Sequence, residues 1–164
     1  MSASLPPLEF EVDGLYILLC DQGSTYTFHW MFYLAKTPGS GVIYRLINVN
    51  PADHKTWTYD TSATENVNET YTIYVALQIG SMEPALHEAL GDRLAEVDTR
   101  YSNHFHTAMT CRVWALEALV DLDELGYIKL TRDTTDIERE AVSAAMVNKS
   151  SQACRIFKSR GADI

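Results

Sequence analysis

The chain has 164 residues, of which 46% are hydrophobic and 21% are charged, a composition typical of one globular domain with its own core. Thirteen basic and 22 acidic residues give a net charge of −9, and so acidic a protein repels the phosphates of nucleic acids. No stretch approaches the about 20 apolar residues that a membrane-spanning helix needs. We therefore expect neither a nucleic-acid partner nor a membrane span.

The chain carries three cysteines, at positions 20, 111 and 154, and no two of them form a CxxC pair. Such an odd set argues against a disulfide framework and against a zinc site, so the sequence implies no metal and no cofactor. The first residues lack the basic start and the apolar run of a secretory signal. We expect a cytoplasmic protein with reduced thiols, and the sequence leaves open whether it forms a homo-oligomer.

The first half of the chain is predicted to consist mainly of β-strands. Residues 1–8 are expected to form a flexible tail, and residues 9–164 a single domain. Short runs rich in β-branched and aromatic residues predict strands at residues 14–20, 25–35, 42–50 and 70–79. The polar segment 51–68 is expected to be a lid, a binding loop or a misread strand pair, with a brief edge strand at 57–59.

The second half is predicted to be mainly helical. Helices are expected to begin near residues 83, 108 and 135. The middle helix has a buried stripe that includes Trp114 and it ends at Gly126, and a capping box at residues 135–138 begins the third helix. A short strand at 127–130 and a final helical turn at 156–157 are also predicted. Together these elements predict an α+β domain in which an antiparallel β-sheet packs against three to four helices.

Two residues of this pattern, Cys111 and His29, have the chemistry of a nucleophile and a base. Cys111 is predicted to open the middle helix, where free backbone N–H groups and the helix dipole favour a thiolate. The same N–H groups can stabilise an oxyanion. His29 is predicted to open a strand, and its imidazole can take the thiol proton and return it to a leaving group. Such a pair is suited to acyl transfer.

The strand motif H-W-x-x-Y-L at residues 29–34 precedes the helix motif C-R-x-W-x-x-E-A-L at residues 111–119. Over about residues 15–126 this order resembles that of circularly permuted papain-like folds, including the lecithin retinol acyltransferase-like and NlpC-like proteins. The resemblance implies a cysteine-dependent acyl-handling enzyme, either a thiol hydrolase or an acyltransferase/cyclase-type enzyme, that acts on a small ester, amide or thioester. The helix motif is also similar to a stretch of small uncharacterised fungal proteins, a likeness that implies no activity.

The resemblance further implies a third residue that orients the imidazole. The permuted enzymes usually place a second histidine on the following strand, and this chain has none there. Tyr44 and Asn48 are the candidates to replace it, whereas Arg45 disfavours a protonated imidazole beside it. One face of the strand at 25–35 is expected to be core and the other, which holds the histidine, to line a pocket. The residues expected to contact a small-molecule substrate are Trp30, Met31, Tyr33, Arg45, His106 and Arg112.

Structural roles compete with these interpretations. Cys111 lies on an apolar stripe, and free cysteines are among the most buried residues. His104 and His106 could face a metal ion, but two histidines without a third ligand usually belong to a solvated loop. The alternative functions are a catalytically silent papain-like domain that binds a small apolar ligand, and a domain that binds a protein partner.

Overall fold

The computed structural model describes residues 9–50, 52–53 and 56–164, so the tail expected at residues 1–8 lies outside the described residues. The strands are β1 (Gly14–Cys20), β2 (His29–Ala35), β3 (Ser40–Ile47), β4 (Thr58–Glu65), β5 (Ile73–Ser81), β6 (Tyr101–Ser102), β7 (Thr107–Ala108) and β8 (Arg155–Lys158). The helices are α1 (Val67–Thr70), α2 (His87–Ala95), α3 (Cys111–Glu124) and α4 (Thr134–Ser150), and a 3₁₀ turn, Pro84–Leu86, precedes α2. Among the described residues, no helix combines the length and the apolar composition that crossing a bilayer demands.

Six strands form one sheet in the order β4-β3-β2-β1-β5-β8. Neighbouring strands are antiparallel except for β5 and β8, which are parallel. β6 and β7 form a separate two-stranded hairpin. A mostly antiparallel sheet with helices packed on it is the predicted α+β class, and this prediction is confirmed.

The two faces of the sheet are covered by different parts of the chain. On the first, which we call the helix face, strand residues such as Phe32 pack against buried residues of α2, α3 and α4. On the second, which we call the opposite face, Met31 and other strand residues cluster with Phe10 and with Val67 of α1. Both faces are therefore buried, whereas the sequence predicted that only one of them was core.

Helix α3 crosses the helix face as the sequence predicted. Its side-chain cap is Thr110, whose hydroxyl oxygen accepts a hydrogen bond from the Val113 N–H at 3.2 Å. Trp114 is fully buried, and its ring meets that of Phe32 edge-on with the centroids 5.5 Å apart. Gly126, with a φ of 84°, ends the helical segment in a conformation that favours glycine.

Two elements near the carboxyl end differ from the predictions. The prediction of a final helical turn at residues 156–157 was wrong, because residues 155–158 form β8, which pairs with β5 and extends the sheet. The prediction of a strand at 127–130 was also wrong, since its only β pairing with any described residue is a single bridge between Leu130 and Ala162. The apolar runs in this part of the chain are too short for their hydrophobic periodicity to distinguish a helix from a strand.

Three boundaries also differ. The cap of α4 is Asp133, whose carboxylate accepts from the Asp136 N–H at 3.0 Å, and not the predicted box at residues 135–138. The edge strand predicted at 57–59 is the longer β4, so much of the expected loop belongs to the sheet. β2 begins at His29, four residues after the predicted start at residue 25, because residues 21–28 form a bend between strands.

Candidate functional site

His29 and Cys111 are not brought together by the fold. His29 pairs across the sheet with Cys20, which belongs to the opposite face, and it alternates along β2 with Trp30, which belongs to the helix face. Successive strand residues point to opposite sides, so the imidazole lies on the opposite face. Cys111 packs within the helix-face cluster. The sheet therefore separates the expected nucleophile from the expected base.

The thiol of Cys111 also lacks the predicted activation. It opens α3 as expected, and backbone N–H groups of Trp30, Arg112 and Cys111 itself act to lower its pKa. Burial acts more strongly in the other direction, and the net effect is a pKa above the ordinary thiol value. The thiolate is thus disfavoured, and the expectation of a helix-activated nucleophile was wrong because desolvation outweighs the helix terminus.

The imidazole of His29 is held in its neutral form. Burial is the larger cause and the nearby guanidinium of Arg45 the smaller one, and together they lower its pKa to about 4. The direction of the Arg45 effect is the one expected from the sequence. Arg45 itself pairs with Asp60, with Nε 3.0 Å from Oδ2, and lies over the ring of Tyr71. These contacts give Arg45 a structural role on the opposite face.

The two candidates for orienting the imidazole lie elsewhere. Tyr44 belongs to the helix face, on the far side of the sheet from His29. Asn48 organises the turn that follows β3, because its Nδ2 donates to the Asp53 carbonyl oxygen at 2.7 Å and its Oδ1 accepts from the Asn50 N–H at 3.1 Å. Neither residue contacts the ring as the sequence predicted.

The residues expected to contact a substrate are dispersed as well. Trp30, Met31 and Tyr33 are buried in the two core clusters, so the expectation that they line an open pocket was wrong. His106 is exposed in the turn between β6 and β7, with a positive φ of 53°. Arg112 does bind a carboxylate, but it is that of Glu138 on α4, with Nη1 2.6 Å from Oε1.

His104 lies beside carboxylates of α3. Its Nε2 is 3.4 Å from Oδ1 of Asp121, and ligand atoms of His104, Asp121 and Glu124 lie within 4.8 Å of one another. Nitrogen and oxygen donors of this kind could hold a divalent cation. However, Nη2 of Arg93 is 3.2 Å from the other oxygen of Asp121, so a guanidinium already supplies positive charge there. We propose no metal site at this cluster.

A cleft of about 580 Å³ opens on the helix face, where strands β3 and β4 run beside α2. This volume lies within the range of about 300–1,000 Å³ that is usual for small-molecule sites. Its apolar and aromatic part is formed by Val42, Tyr44, Tyr59, Pro84, Gly91 and Ala95. Its polar part is formed by Lys36, Thr61, His87, Glu88 and Asp92.

The hydroxyl of Tyr44 has no hydrogen-bond partner among the described residues, although the side chain is only 4% exposed and lines the cleft. Burial raises the pKa of this phenol to about 12, so it stays protonated at neutral pH. The neighbouring phenol of Tyr59, in contrast, donates to the Gly91 carbonyl oxygen at 3.2 Å. The side chain of Tyr44 is thus nearly buried, while its hydroxyl, which no described residue binds, is available to a ligand in the cleft.

The polar end of the cleft is held by hydrogen bonds from Lys36 to His87 and from His87 to the backbone of Met82, with the carboxylate of Asp13 beside the ring. The Nζ of Lys36 lies 2.5 Å from Nδ1 of His87. An ammonium group can only donate, so Nδ1 accepts and the ring proton is on Nε2. That Nε2 donates to the Met82 carbonyl oxygen at 2.8 Å and lies 3.2 Å from Oδ1 of Asp13. The position of the ammonium group is thereby set.

Two backbone features position the side chains that line the cleft. Asp13 has a φ of 67°, uncommon for a residue other than glycine, and its backbone bonds to both Ala35 and Met82. This ties together the ends of β1, β2 and β5. Lys36 follows β2 directly, and His87 begins α2 shortly after β5. Gly91, in the middle of α2, lets the Tyr44 ring approach closely, since a Cβ there would lie 3.3 Å from Cε1 of that ring.

Sequence reasoning did not select this cleft. One signal was present, because His87 occupies a position on the buried stripe of α2, three residues before the buried Leu90. A titratable side chain on an apolar stripe is unusual enough to indicate a hydrogen-bonded role. Lys36 and Asp13 carry no comparable signal, since both lie in turns where charged residues are common.

No family model, curated protein or solved structure matches this chain. The resemblance to the permuted papain-like folds therefore stays a prediction, and the function has to be inferred from the geometry of the cleft.

Proposed function

We propose that this protein is a binding domain for a small organic molecule, which occupies the cleft between β3, β4 and α2. The observation that carries the proposal is the unpaired hydroxyl of Tyr44, nearly buried and facing the cleft. A hydroxyl without a protein partner in an open cleft can bond to water, and a ligand that supplies this hydrogen bond itself can displace that water. The proposal corresponds to the small-ligand alternative suggested by the sequence.

The lining of the cleft indicates the chemistry of the ligand. Tyrosine, valine, proline and alanine side chains favour an apolar or aromatic body. The ammonium group of Lys36 and the hydroxyl of Tyr44 favour an anionic or carbonyl oxygen at one end. The carboxylates of Glu88 and Asp92 at the helix side disfavour a second negative charge there and favour a donor. The ligand is thus a largely apolar molecule with one acidic or carbonyl group.

The proposal contains no thiol chemistry. The thiol of Cys111 is buried on the helix face, with the sheet between it and His29. Its raised pKa disfavours the nucleophilic thiolate. The cysteines at positions 20 and 154 also have raised thiol pKa values because of burial. Binding in the cleft, in contrast, needs none of these groups.

Fluorescence titration with 8-anilinonaphthalene-1-sulfonate tests the proposal, because this probe combines an aromatic body, an N–H donor and a single anionic group. We expect saturable binding of one molecule per chain. Lys36→Gln is expected to raise the Kd at least about tenfold, and Tyr44→Phe about three- to tenfold, as charge-assisted and neutral hydrogen bonds are lost.

Lys129→Gln is the matched control, since it makes the same change in charge at an exposed side chain outside the cleft. It is expected to leave the Kd unchanged. Binding that does not saturate, or an equal Kd in all four proteins, would show that the cleft is not the site. A near-UV circular dichroism spectrum of each variant establishes that the fold is kept.

A further inference from the structure

A second concave site lies at the other side of the molecule, between α4 and the segment that follows β8. It is a pocket of about 260 Å³, lined by Arg132, Asp136, Arg139, Glu140, Ser143, Arg160 and Gly161. Three arginines meet here in a chain whose net charge is −9. These three arginines are separated in the sequence, at positions 132, 139 and 160, and are brought together only by the fold.

The backbone holds two of these arginines side by side. The Thr131 N–H donates to the Gly161 carbonyl oxygen at 2.8 Å, which joins the segment before α4 to the carboxyl-terminal segment. The carboxylate of Glu140 accepts from the Arg160 N–H at 3.0 Å and from the hydroxyl of Ser159 at 2.6 Å. These bonds fix the backbone positions from which the side chains of Arg132 and Arg160 extend.

The guanidinium groups of Arg132 and Arg160 are free to bind a ligand. Within the described ranges, neither has an ion-pair or hydrogen-bond partner for its side chain. Arg139 is partly neutralised, because its Nη1 lies 3.6 Å from Oδ1 of Asp136. The exposed hydroxyl of Ser143, on the same side of α4, adds a further donor. The pocket thus offers two unpaired guanidinium groups and a hydroxyl.

We propose that this pocket binds a phosphate group, either as inorganic phosphate or as part of a small phosphate ester. A carboxylate has two oxygens, which a single guanidinium fork can engage, whereas a phosphate has enough oxygens for two forks at once. The volume lies just below the range usual for whole drug-sized ligands, so it suits one charged group and not a large molecule. The site uses other elements than the cleft and does not depend on ligand binding there.

The acidic lining does not cancel this positive charge. Within the described ranges, Glu140 forms no ion pair with the guanidinium group of Arg132 or Arg160, and its two oxygens accept hydrogen bonds from Ser159 and from the Arg160 N–H instead. The net negative charge of the whole protein acts over longer distances and is screened beyond about 10 Å at 0.1 M salt. The lining itself holds three guanidinium groups against the carboxylates of Asp136 and Glu140, so the formal charge of these side chains is positive.

Isothermal titration calorimetry with inorganic phosphate, at constant ionic strength, tests the proposal. We expect one phosphate per chain, and a Kd that rises at least about tenfold in Arg132→Gln and in Arg160→Gln, since each loses charge-assisted hydrogen bonds. Arg100→Gln, which removes the same charge from an exposed loop outside the pocket, is expected to bind like the unmodified protein. Absent binding, or an equal Kd in all four proteins, would overturn the proposal.

Two further ligands define the chemistry. Acetate at the same ionic strength should bind at least about tenfold more weakly than phosphate, and equal affinity would overturn the assignment to phosphate. Phenyl phosphate separates the two sources of the group. Tighter binding than that of inorganic phosphate supports a phosphate ester as the ligand, and weaker binding supports the free ion.

Discussion

His29 and Cys111 lie on opposite faces of the same sheet, although the strand that begins with His29 packs against the helix that begins with Cys111. The cross-strand neighbour of His29 is Cys20, on the opposite face, while Cys111 is buried on the helix face. A one-residue shift of β2 would have exchanged the two faces. The register of β2 alone thus decides whether His29 and Cys111 lie on the same face of the sheet or on opposite faces.

The separation predicts that His29 has no influence on the reactivity of Cys111. We expect His29→Gln and the unmodified protein to show the same rate of Cys111 alkylation by iodoacetamide at pH 7, measured by mass spectrometry of the digested protein. Cys154, which is only half-buried, should be modified before Cys111 and Cys20. A several-fold slower reaction of Cys111 in the variant would contradict the arrangement described.

The alternation of side chains explains how much of this could be predicted. The period of two along residues 26–33 predicted one face with Tyr26, Phe28, Trp30 and Phe32 and another with His29, Met31 and Tyr33. The structure divides Phe28, Trp30 and Phe32 from Met31 and Tyr33 in this way, but Tyr26 lies before β2 and is 75% exposed. It could not say which face Cys111 would cover, because that depends on where α3 docks. The pairing of a histidine with a distant cysteine is a tertiary property that no local spacing determines.

The proposed cleft was harder to predict for a related reason. Lys36 and His87 are 51 positions apart, and their contact follows from the meeting of strand ends that Asp13 organises. Tyr44 was selected from the sequence, but for a role beside His29. Its actual position follows from the same alternation in β3 that places Arg45 with His29.

The apolar stripe of α3 predicts a large loss of stability in Trp114→Ala. The side chain is fully buried between the sheet and the helix, so its removal should cost about 3–5 kcal/mol in the free energy of unfolding, measured by urea titration. The indole N–H has no partner among the described residues, so Trp114→Phe removes an unpaired donor and should cost less. Leu125→Ala, at a largely exposed site just after the helix, should change stability by less than about 0.5 kcal/mol. A loss below about 1 kcal/mol in Trp114→Ala would show that the ring does not fill the core.

The position of the helix cap in α4 gives a second test by mutation. Asp133→Ala removes the oxygen that accepts from the Asp136 N–H, and we expect a loss of about 1 kcal/mol in urea titration. Thr135→Ala alters the residue that the capping-box pattern favours, and its hydroxyl has no hydrogen bond in the structure described. It should change stability by less than about 0.5 kcal/mol. A larger loss of stability in Thr135→Ala than in Asp133→Ala would support the capping box predicted from the sequence instead.

The neutral imidazole of His29 predicts a loss of stability in mild acid. Its pKa is about 4 in the folded protein, because of burial and of Arg45, against an ordinary value of about 6.5 in the unfolded chain. Between these two values the unfolded chain binds a proton that the folded protein does not, so stability falls as the pH falls from about 6.5 to 4. The full contribution is at most about 3.5 kcal/mol, at about 1.4 kcal/mol for each pKa unit.

His29→Gln isolates this contribution, because the carboxylates that also titrate in acid are shared by both proteins. We expect the difference in unfolding free energy between the unmodified protein and the variant to be constant above pH 7 and to shift against the unmodified protein as the pH falls to 4. An NMR titration of the His29 ring should show a midpoint well below 6. A midpoint near 6.5 would mean that the ring is solvated, and the opposite face would then be open to water at the start of β2.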